Sequence, residues 1–98
     1  MAEAKVACRT PNPGKPGMTN IPKWKFDCIR AAILDTLAEG DTAWSDLTEA
    51  VRARLSEDEL ARMGKLRWFV VTVKLELEVR GEIARIPGRS PQMLTRAT

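Results

Sequence analysis

The sequence predicts a mainly α-helical domain with a small β-hairpin at its C-terminal end, an α+β fold with three to four helices. Apolar residues recur at spacings of three and four in several segments, which is typical of amphipathic helices. Ser56 and Glu59 have the spacing of a capping box at the start of a short helix. Near the C-terminus, Pro87-Gly88 fits the central positions of a type II turn between two strands.

The first helix is predicted over about residues 22–39. Pro22 suits the first turn of a helix, and Gly40 suits the left-handed position that ends many helices. The apolar residues between them recur at helical spacing, which indicates one buried face. This face consists of Phe26, Ile29, Ile33, Leu34 and Leu37.

A short extended segment and two short helices are predicted next. Residues 42–44 indicate the extended segment, in which Trp44 is expected to pack in the core. Ser45 then fits the N-cap of a second helix over about residues 46–54. The capping box begins a third helix immediately afterwards, and Gly64 ends it.

The stretch from Leu66 to Arg80 contains strand-like alternation of apolar and polar residues, yet we predict a helix. A strand of this length would be unusual, and Gly81 fits the left-handed residue that follows a helix. On a helix, the apolar residues fall on two opposite faces. The face expected to pack in the core consists of Leu66, Val70, Val73 and Leu77. The opposite face, called the outer face below, consists of Trp68, Val71, Leu75 and Val79.

The C-terminal hairpin is predicted from two short apolar runs on either side of the Pro-Gly turn. Ile83 and Ile86 mark the first strand, and residues 93–95 form the return strand. Three basic side chains cluster on the hairpin or beside it: Arg85, Arg89 and Arg96.

The N-terminal 21 residues predict an extended basic arm, and residues 22–98 predict the domain itself. Residues 9–22 hold four prolines and two glycines, a composition that favours extended chain over a packed element. Residues 1–25 carry five Lys or Arg against one acid, Glu3. We expect either a floppy tail or a strap laid over the domain.

The composition limits the classes of function. The 98 residues, 44% of them hydrophobic, suffice for one domain with one modest core. No apolar run is long enough for a membrane span or a signal peptide, so we expect a cytoplasmic protein with no membrane partner. There is no histidine, and Cys8 and Cys28 form no Cys-x-x-Cys pair. We therefore expect free thiols, no metal and no cofactor.

Catalytic motifs are also missing. Without histidine there is no Ser-His-Asp triad and no Cys-His pair, and the glycines form no phosphate-binding loop. We predict that the protein is not an enzyme, and no small-molecule ligand is indicated.

The predicted order of helix, strand, helix, helix and hairpin resembles a winged helix-turn-helix domain over about residues 22–96. Leu77, Glu78, Gly81 and Ile83 resemble the corner between the last helix and the hairpin, or wing, of that superfamily. The chain also resembles a family of small bacterial proteins without an assigned activity. The similar features are a start TPNPGKPG, a helix core IRAAIL at residues 29–34, and a last helix with WFVVTVKL at residues 68–75.

The resemblance implies nucleic-acid binding, with DNA as the partner. In winged helices that bind DNA, the last helix enters the major groove and the wing contacts the backbone or minor groove. The side chains at matching positions that suit this role are Arg67, Thr72, Lys74, Arg85, Arg89 and Arg96. The basic arm would add contacts to phosphates. Trp24, between Lys23 and Lys25, has the composition of a base-stacking site, or else marks the edge of the first helix packing on the core.

The outer face of the last helix departs from that expectation. Trp68, Val71, Leu75 and Val79 cannot read bases by hydrogen bonds, and Glu76 and Glu78 would repel phosphates. The alternative hypothesis is therefore a protein-interaction or homodimerisation module that uses this face as its partner interface. A third interpretation is structural, with the N-terminal arm covering the face through Met18 or Ile21.

Overall fold

The computed structural model describes residues 4–11, 18–88 and 92–97. These ranges contain four helices and five short strands. In chain order the elements are β1 (Lys5–Cys8), β2 (Thr19–Pro22), α1 (Lys23–Glu39), β3 (Thr42–Ala43), α2 (Trp44–Arg52), α3 (Glu57–Met63), α4 (Leu66–Arg80), β4 (Ile83–Arg85) and β5 (Met93–Arg96).

The strands form two small antiparallel sheets. β1 pairs with β2, in a register from Lys5 opposite Pro22 to Cys8 opposite Thr19. The second sheet has the order β3-β5-β4, with the short segment β3 and the wing strand β4 at its edges. This arrangement confirms the predicted mainly α, α+β fold class and is compatible with a winged helix-turn-helix. In the described ranges, no helix has the length and apolar composition that crossing a membrane requires.

The core lies between α1, α2, α4 and the three-stranded sheet. The predicted core face of α4 is buried there, and Val70, Val73 and Leu77 are fully inaccessible to solvent. Their partners include the predicted apolar face of α1 and apolar residues of α2 and the wing: Phe26, Ile29, Ile33, Leu37, Leu47, Val51, Ile83 and Leu94.

α4 has the predicted bounds and confirms the helical interpretation of the alternating stretch. Gly81 follows it with φ 75° and ψ 18°, a left-handed conformation that glycine adopts without steric cost. The backbone N–H of Gly81 donates to the carbonyls of Leu77 and Glu78, which closes the last turn. The helix therefore ends one residue before the chain turns into the wing.

Two predicted helix ends differ from the structure. α2 begins at Trp44 rather than near residue 46, and its N-cap is Ala43, not Ser45. The cause is β3, because the Trp44 N–H donates to the Gln92 carbonyl at 2.8 Å and thereby aligns the chain with β5. Gly40 follows α1 with φ 157° and ψ 160°, which is not the left-handed conformation that we predicted.

The capping box of α3 is confirmed. The Ser56 hydroxyl accepts a hydrogen bond from the Glu59 backbone N–H at 3.1 Å, and the Glu59 carboxylate accepts one from the Ser56 backbone N–H at 2.8 Å. Two backbone donors at the start of the helix are satisfied in this way.

The N-terminal segment forms a hairpin in its described part. Its strands are extended, as expected for the arm, but Cys8 and Ile21 belong to the hydrophobic core. The Lys23 N–H donates to the Ala4 carbonyl at 2.8 Å and joins the hairpin to the start of α1. Residues 12–17 lie outside the described residues, and the division into an arm (1–21) and a domain (22–98) stays a prediction.

Candidate interaction surfaces

The carboxylate of Glu76 is buried on one flank of α4 and binds two arginines. Its side chain is 1% exposed, and it accepts hydrogen bonds from Arg9 and Arg80. Burial alone would raise the pKa of Glu76, but the hydrogen bonds from the two guanidinium groups and from the Arg9 backbone N–H lower the pKa to about 2. We call these three residues the Glu76 cluster; it fixes the N-terminal hairpin against α4.

A second buried carboxylate, Glu78, binds the wing on the opposite flank. Lys74 lies 3.2 Å from Glu78, is 4% exposed, and donates to the Gln92 side chain at 3.2 Å. Arg85 donates from Nε and Nη2 to both oxygens of Glu78, at 2.8 and 3.1 Å. Burial lowers the pKa of Lys74, and Glu78 opposes that shift. We call Lys74, Glu78 and Arg85 the Glu78 cluster.

The residues predicted to bind nucleic acid therefore have different environments. Lys74 is buried and Arg85 is bonded to Glu78, as described above. The Thr72 hydroxyl donates to the Trp68 carbonyl within α4 at 2.9 Å. Arg67 and Arg96 are exposed and form no ion pair within the described ranges, and the Arg67 guanidinium lies 5.8 Å from the Trp44 ring centre. Arg89 lies outside the described residues.

The outer face of α4 is partly accessible. Trp68 is 47% exposed, and Val71, Leu75 and Val79 are half-buried. Met18, one of the two residues predicted to cover this face, is 66% exposed, and Ile21, the other, packs in the core. The described part of the arm thus leaves about half of the Trp68 side chain open to a partner.

The exposed charged side chains on α4 and beside it are basic. Glu76 and Glu78 are the helix's only acidic residues, and both carboxylates are buried in their clusters. The exposed charged groups are Arg67 near the start of the helix and Arg80 at its end, with Lys65 before it and Arg85 and Arg96 in the wing. The outer face is therefore an apolar stripe with Lys65 and Arg67 at its start and Arg80 at its end, where Arg80 is itself bonded to Glu76 and Glu82.

Aromatic and basic side chains meet where α1, α3 and α4 approach one another. The Lys25 ammonium lies 4.4 Å from the Phe69 ring centre and 5.6 Å from that of Trp24, and it donates to the Met63 carbonyl. The Arg62 guanidinium lies 5.0 Å from the Trp24 ring centre. Trp68 packs edge-on against Phe69 with ring centres 5.0 Å apart. We call this group the aromatic cluster; cation–π contacts of this kind stabilise packing and also occur where proteins hold single-stranded nucleic acid.

Sequence reasoning missed several of these residues. The spacing of four between Lys74 and Glu78, and between Glu76 and Arg80, is a signal for helical ion pairs that the sequence does contain. Arg9 gave no comparable signal, because it is 67 residues from Glu76 along the chain.

Both cysteines are free thiols, as predicted. Burial raises the pKa of Cys8 and of Cys28 to about 11. Glu59 contributes to the shift of Cys28 by accepting a hydrogen bond from its Sγ at 3.3 Å. Neither cysteine has the depressed pKa of a reactive thiolate.

Comparison with known proteins gives one family. The chain matches the "Family of unknown function (DUF6958)" over residues 5–94, a range that contains α1 to α4, the N-terminal hairpin and most of the wing. No curated protein matches the chain. No solved structure matches it.

Proposed function

Because the chain belongs to the DUF6958 family, which has no known function, we propose a role from the geometry of its own surfaces. The proposed role is a cytoplasmic, non-enzymatic protein-interaction module that binds an acidic amphipathic helix of a partner protein on the outer face of α4. The observation that carries this proposal is the combination of an accessible apolar stripe with the burial of both α4 carboxylates.

An amphipathic helix is the natural complement of this face. The fifteen residues of α4 make a helix about 22 Å long, which offers an apolar stripe of several side chains. A partner helix that carries apolar residues at matching spacing would cover Trp68 and Leu75. Acidic residues at its ends would meet the cations at the ends of α4, and this charge complementarity selects an acidic partner.

A second copy of this chain is a poorer complement. Two α4 helices packed face to face would bring cations of one copy toward cations of the other, since the exposed charges of the helix are all positive. Juxtaposed like charges oppose association. The homodimer is therefore an alternative outcome of the experiment below rather than the proposal itself.

Recognition of DNA bases by α4 has less support than the binding of a partner helix. Lys74 is committed to the Glu78 cluster, and the Thr72 hydroxyl is bonded to the helix backbone. The remaining accessible side chains at the centre of the face are apolar and offer no hydrogen bonds to base edges.

The test uses two synthetic peptides of the same length as α4, with leucine on one helical face and either glutamate or lysine on the other. Fluorescence anisotropy of the labelled peptides would measure their affinity for the protein. We expect the acidic peptide to bind at least about tenfold more tightly than the basic one. Leu75→Glu should abolish that binding, and Ala38→Glu, an exposed change of the same charge on α1, should leave it intact.

Three results would contradict the proposal. The first is equal affinity for the acidic and basic peptides, and the second is unchanged binding by the Leu75→Glu variant. The third is a dimeric mass in light scattering that Leu75→Glu converts to a monomeric mass, which would identify a second copy as the occupant.

Nucleic-acid binding by a winged helix-turn-helix is the second candidate. Membership of that superfamily is supported by the order of elements and by the corner from Leu77 to Ile83. The aromatic cluster favours a polyanionic partner, and so do Arg67 and Arg96, which form no ion pair with another described residue. Anisotropy with labelled single-stranded and duplex DNA at ~50 mM salt would test it, and affinity should fall steeply as salt rises. Absence of binding to both DNAs at that salt would exclude this candidate.

A further inference from the structure

The wing presents an unpaired strand edge. Within the described residues, β4 pairs with β5 on one side and with no strand on the other. The residues on either side of β4 are also hydrogen-bonded. After β4, the Ile86 N–H donates to the Met93 carbonyl of β5, and before β4, the Glu82 carbonyl accepts from the N–H of Ala97, which follows β5; both distances are 2.9 Å. These two bonds fix which residues of β4 face outward.

Hydrogen-bonded and non-hydrogen-bonded pairs alternate along an antiparallel ladder. Because residues 86 and 82 form bonded pairs with β5, Ala84 opposite Thr95 is bonded as well. Ile83 and Arg85 are in non-hydrogen-bonded pairs, so their backbone N–H and C=O groups point away from β5. The outer edge of β4 thus offers two donors and two acceptors in the spacing of an incoming strand.

A groove lies along this edge. It has a volume of about 540 Å³ and is lined by Ile83, Ala84 and Arg85 of β4, by Glu78 and Gly81 of the helix end, and by Pro11 and Ala97. Proline has no backbone N–H, so Pro11 cannot serve as a backbone donor to this edge. The three residues of β4 span about 10 Å, which is enough for one short extended segment beside them.

The charge around the groove favours an acidic occupant. Glu78 is shared between two cations, Lys74 and Arg85, and is fully neutralised by them. Arg96, opposite Ile83 in the ladder, is exposed and has no ion pair in the described part of the chain. The Arg85 guanidinium uses two of its donors on Glu78 and retains others for a ligand. Lys74, which lies behind Glu78, and Arg96, on the neighbouring strand β5, do not line the groove themselves, but they make the net charge of these four groups positive. An extended segment with carboxylates is therefore the complementary partner.

We propose that the outer edge of β4 binds an extended acidic segment of a partner protein as an added strand. The added strand would receive hydrogen bonds from the N–H groups of Ile83 and Arg85 and donate to their carbonyls, while its carboxylates bind Arg85 and Arg96. A second copy of β4 is a poorer occupant, because its pairing would bring the arginines of two wings together. This surface is separate from the outer face of α4, so the inference goes beyond the proposed function.

The pattern of amide protection tests the proposal directly. The probe is a capped synthetic peptide of alternating glutamate and valine, added to ¹⁵N-labelled full-length protein and followed by NMR. We expect shifts and slower hydrogen exchange at the amides of Ile83 and Arg85, with a much smaller change in exchange at Ala84, whose N–H is already bonded to β5. A peptide of alternating lysine and valine should bind at least about tenfold more weakly.

Variants separate the backbone contribution from the side chain. Arg85→Pro removes an N–H that faces the groove, which edge strands tolerate, and Arg85→Ala removes the guanidinium alone. Arg85→Ala should weaken binding by about tenfold, and Arg85→Pro, which removes the guanidinium and the N–H together, should weaken it further. Arg52→Ala, an exposed charge on α2, should have no effect. The wild-type exchange pattern keeps the test decisive if Arg85→Pro fails to fold.

Three outcomes would overturn the proposal. These are an absence of protection at Ile83 and Arg85, equal affinity for the two peptides, and peptide shifts confined to the outer face of α4. If the free protein dimerises and the amides of Ile83 and Arg85 are protected in the dimer, the occupant of this edge is a second copy of the chain and not an acidic segment. Leu75→Glu should leave peptide binding at β4 unchanged. The β4 proposal can therefore fail or hold independently of the proposed helix binding on the outer face of α4.

Discussion

Glu76 of α4 binds Arg9 of the N-terminal segment through three hydrogen bonds. The Arg9 backbone N–H donates at 2.8 Å, Nε at 3.0 Å and Nη2 at 2.8 Å, so both oxygens of the carboxylate are engaged. Arg80 adds a fourth bond at 2.7 Å from the same helix. A single buried carboxylate thus connects the first described residues of the chain to its last helix.

Replacement of Glu76 by glutamine should destabilise the protein by about 2–3 kcal/mol, because hydrogen bonds to a buried charge are lost and two guanidinium groups lose their counterion. Urea denaturation would measure the change, and hydrogen exchange should show faster opening of β1 and β2 than of α1. Glu49→Gln, which removes an exposed ion pair with Arg52, is the matched control and should have a much smaller effect. Equal losses for the two variants would contradict this account.

Stability should fall in acid as Glu76 takes up a proton. Its pKa is about 2 in the folded protein against an ordinary value of 4.5, so the unfolded chain binds the proton more readily. The stabilisation is fully present above pH 4.5 and is lost as the pH falls from about 4.5 toward 2; the full difference is about 3 kcal/mol. Denaturation curves at several pH values would show this loss, which the Glu76→Gln variant should lack in that window. An identical acid dependence in the variant would refute the assignment to Glu76.

Removal of Glu78 and removal of Lys74 from the Glu78 cluster should have unequal effects on stability. Glu78→Gln leaves the Lys74 ammonium buried with no carboxylate and should cost about 3 kcal/mol. Lys74→Met keeps an apolar chain against Trp44 and leaves Glu78 bonded to Arg85, so the cost should be within about 1 kcal/mol. Urea titration would measure the free energy of unfolding of both variants. A larger loss for Lys74→Met than for Glu78→Gln would show that Arg85 alone does not compensate the charge of Glu78.

The cysteines should react slowly with alkylating agents in the folded state. With both pKa values near 11 against an ordinary 9.0, the thiolate fraction at pH 8 falls by about a hundredfold. Mass spectrometry after iodoacetamide treatment would compare native and urea-unfolded protein. Glu59→Gln retains a capping side chain for α3 but removes the charge beside Cys28, so Cys28 should react faster while Cys8 does not. Rapid modification of native Cys8 would contradict the burial of its thiol.

Elements specified by local sequence were the predictable part of the fold. The bounds of α4 follow from its periodicity and from Gly81, and the capping box of α3 follows from Ser56 and Glu59. The start of α2 was misplaced because a tertiary contact, the pairing of Trp44 with Gln92, outweighs the local preference of Ser45 for a cap. Local sequence preference does not predict a helix boundary where hydrogen bonds to residues distant in sequence fix the backbone.

The surfaces were less predictable, because they depend on contacts distant in sequence. Lys74 was expected to be available to phosphates, yet it is buried, since the wing returns across it and Gln92 and Trp44 surround its ammonium. β1 alternates between exposed Lys5 and Ala7 and inward-facing Val6 and Cys8, but β2 shows no such alternation, so the sequence did not indicate that the two strands pair. The apolar outer face of α4, in contrast, was visible in the sequence, and its partial exposure follows the prediction of a second stripe.

The Arg9–Glu76 contact has a consequence for synthesis of the chain on the ribosome. β1 and β2 are translated before α4, and the carboxylate that anchors them lies 67 residues after Arg9. Until α4 has been translated, the hairpin lacks one of the two helices that it packs against, α1 and α4, and a two-stranded ribbon alone is marginal in water. The hairpin is therefore synthesised well before the residue that secures it, and a nascent chain arrested before residue 76 exposes the hairpin to proteases and chaperones.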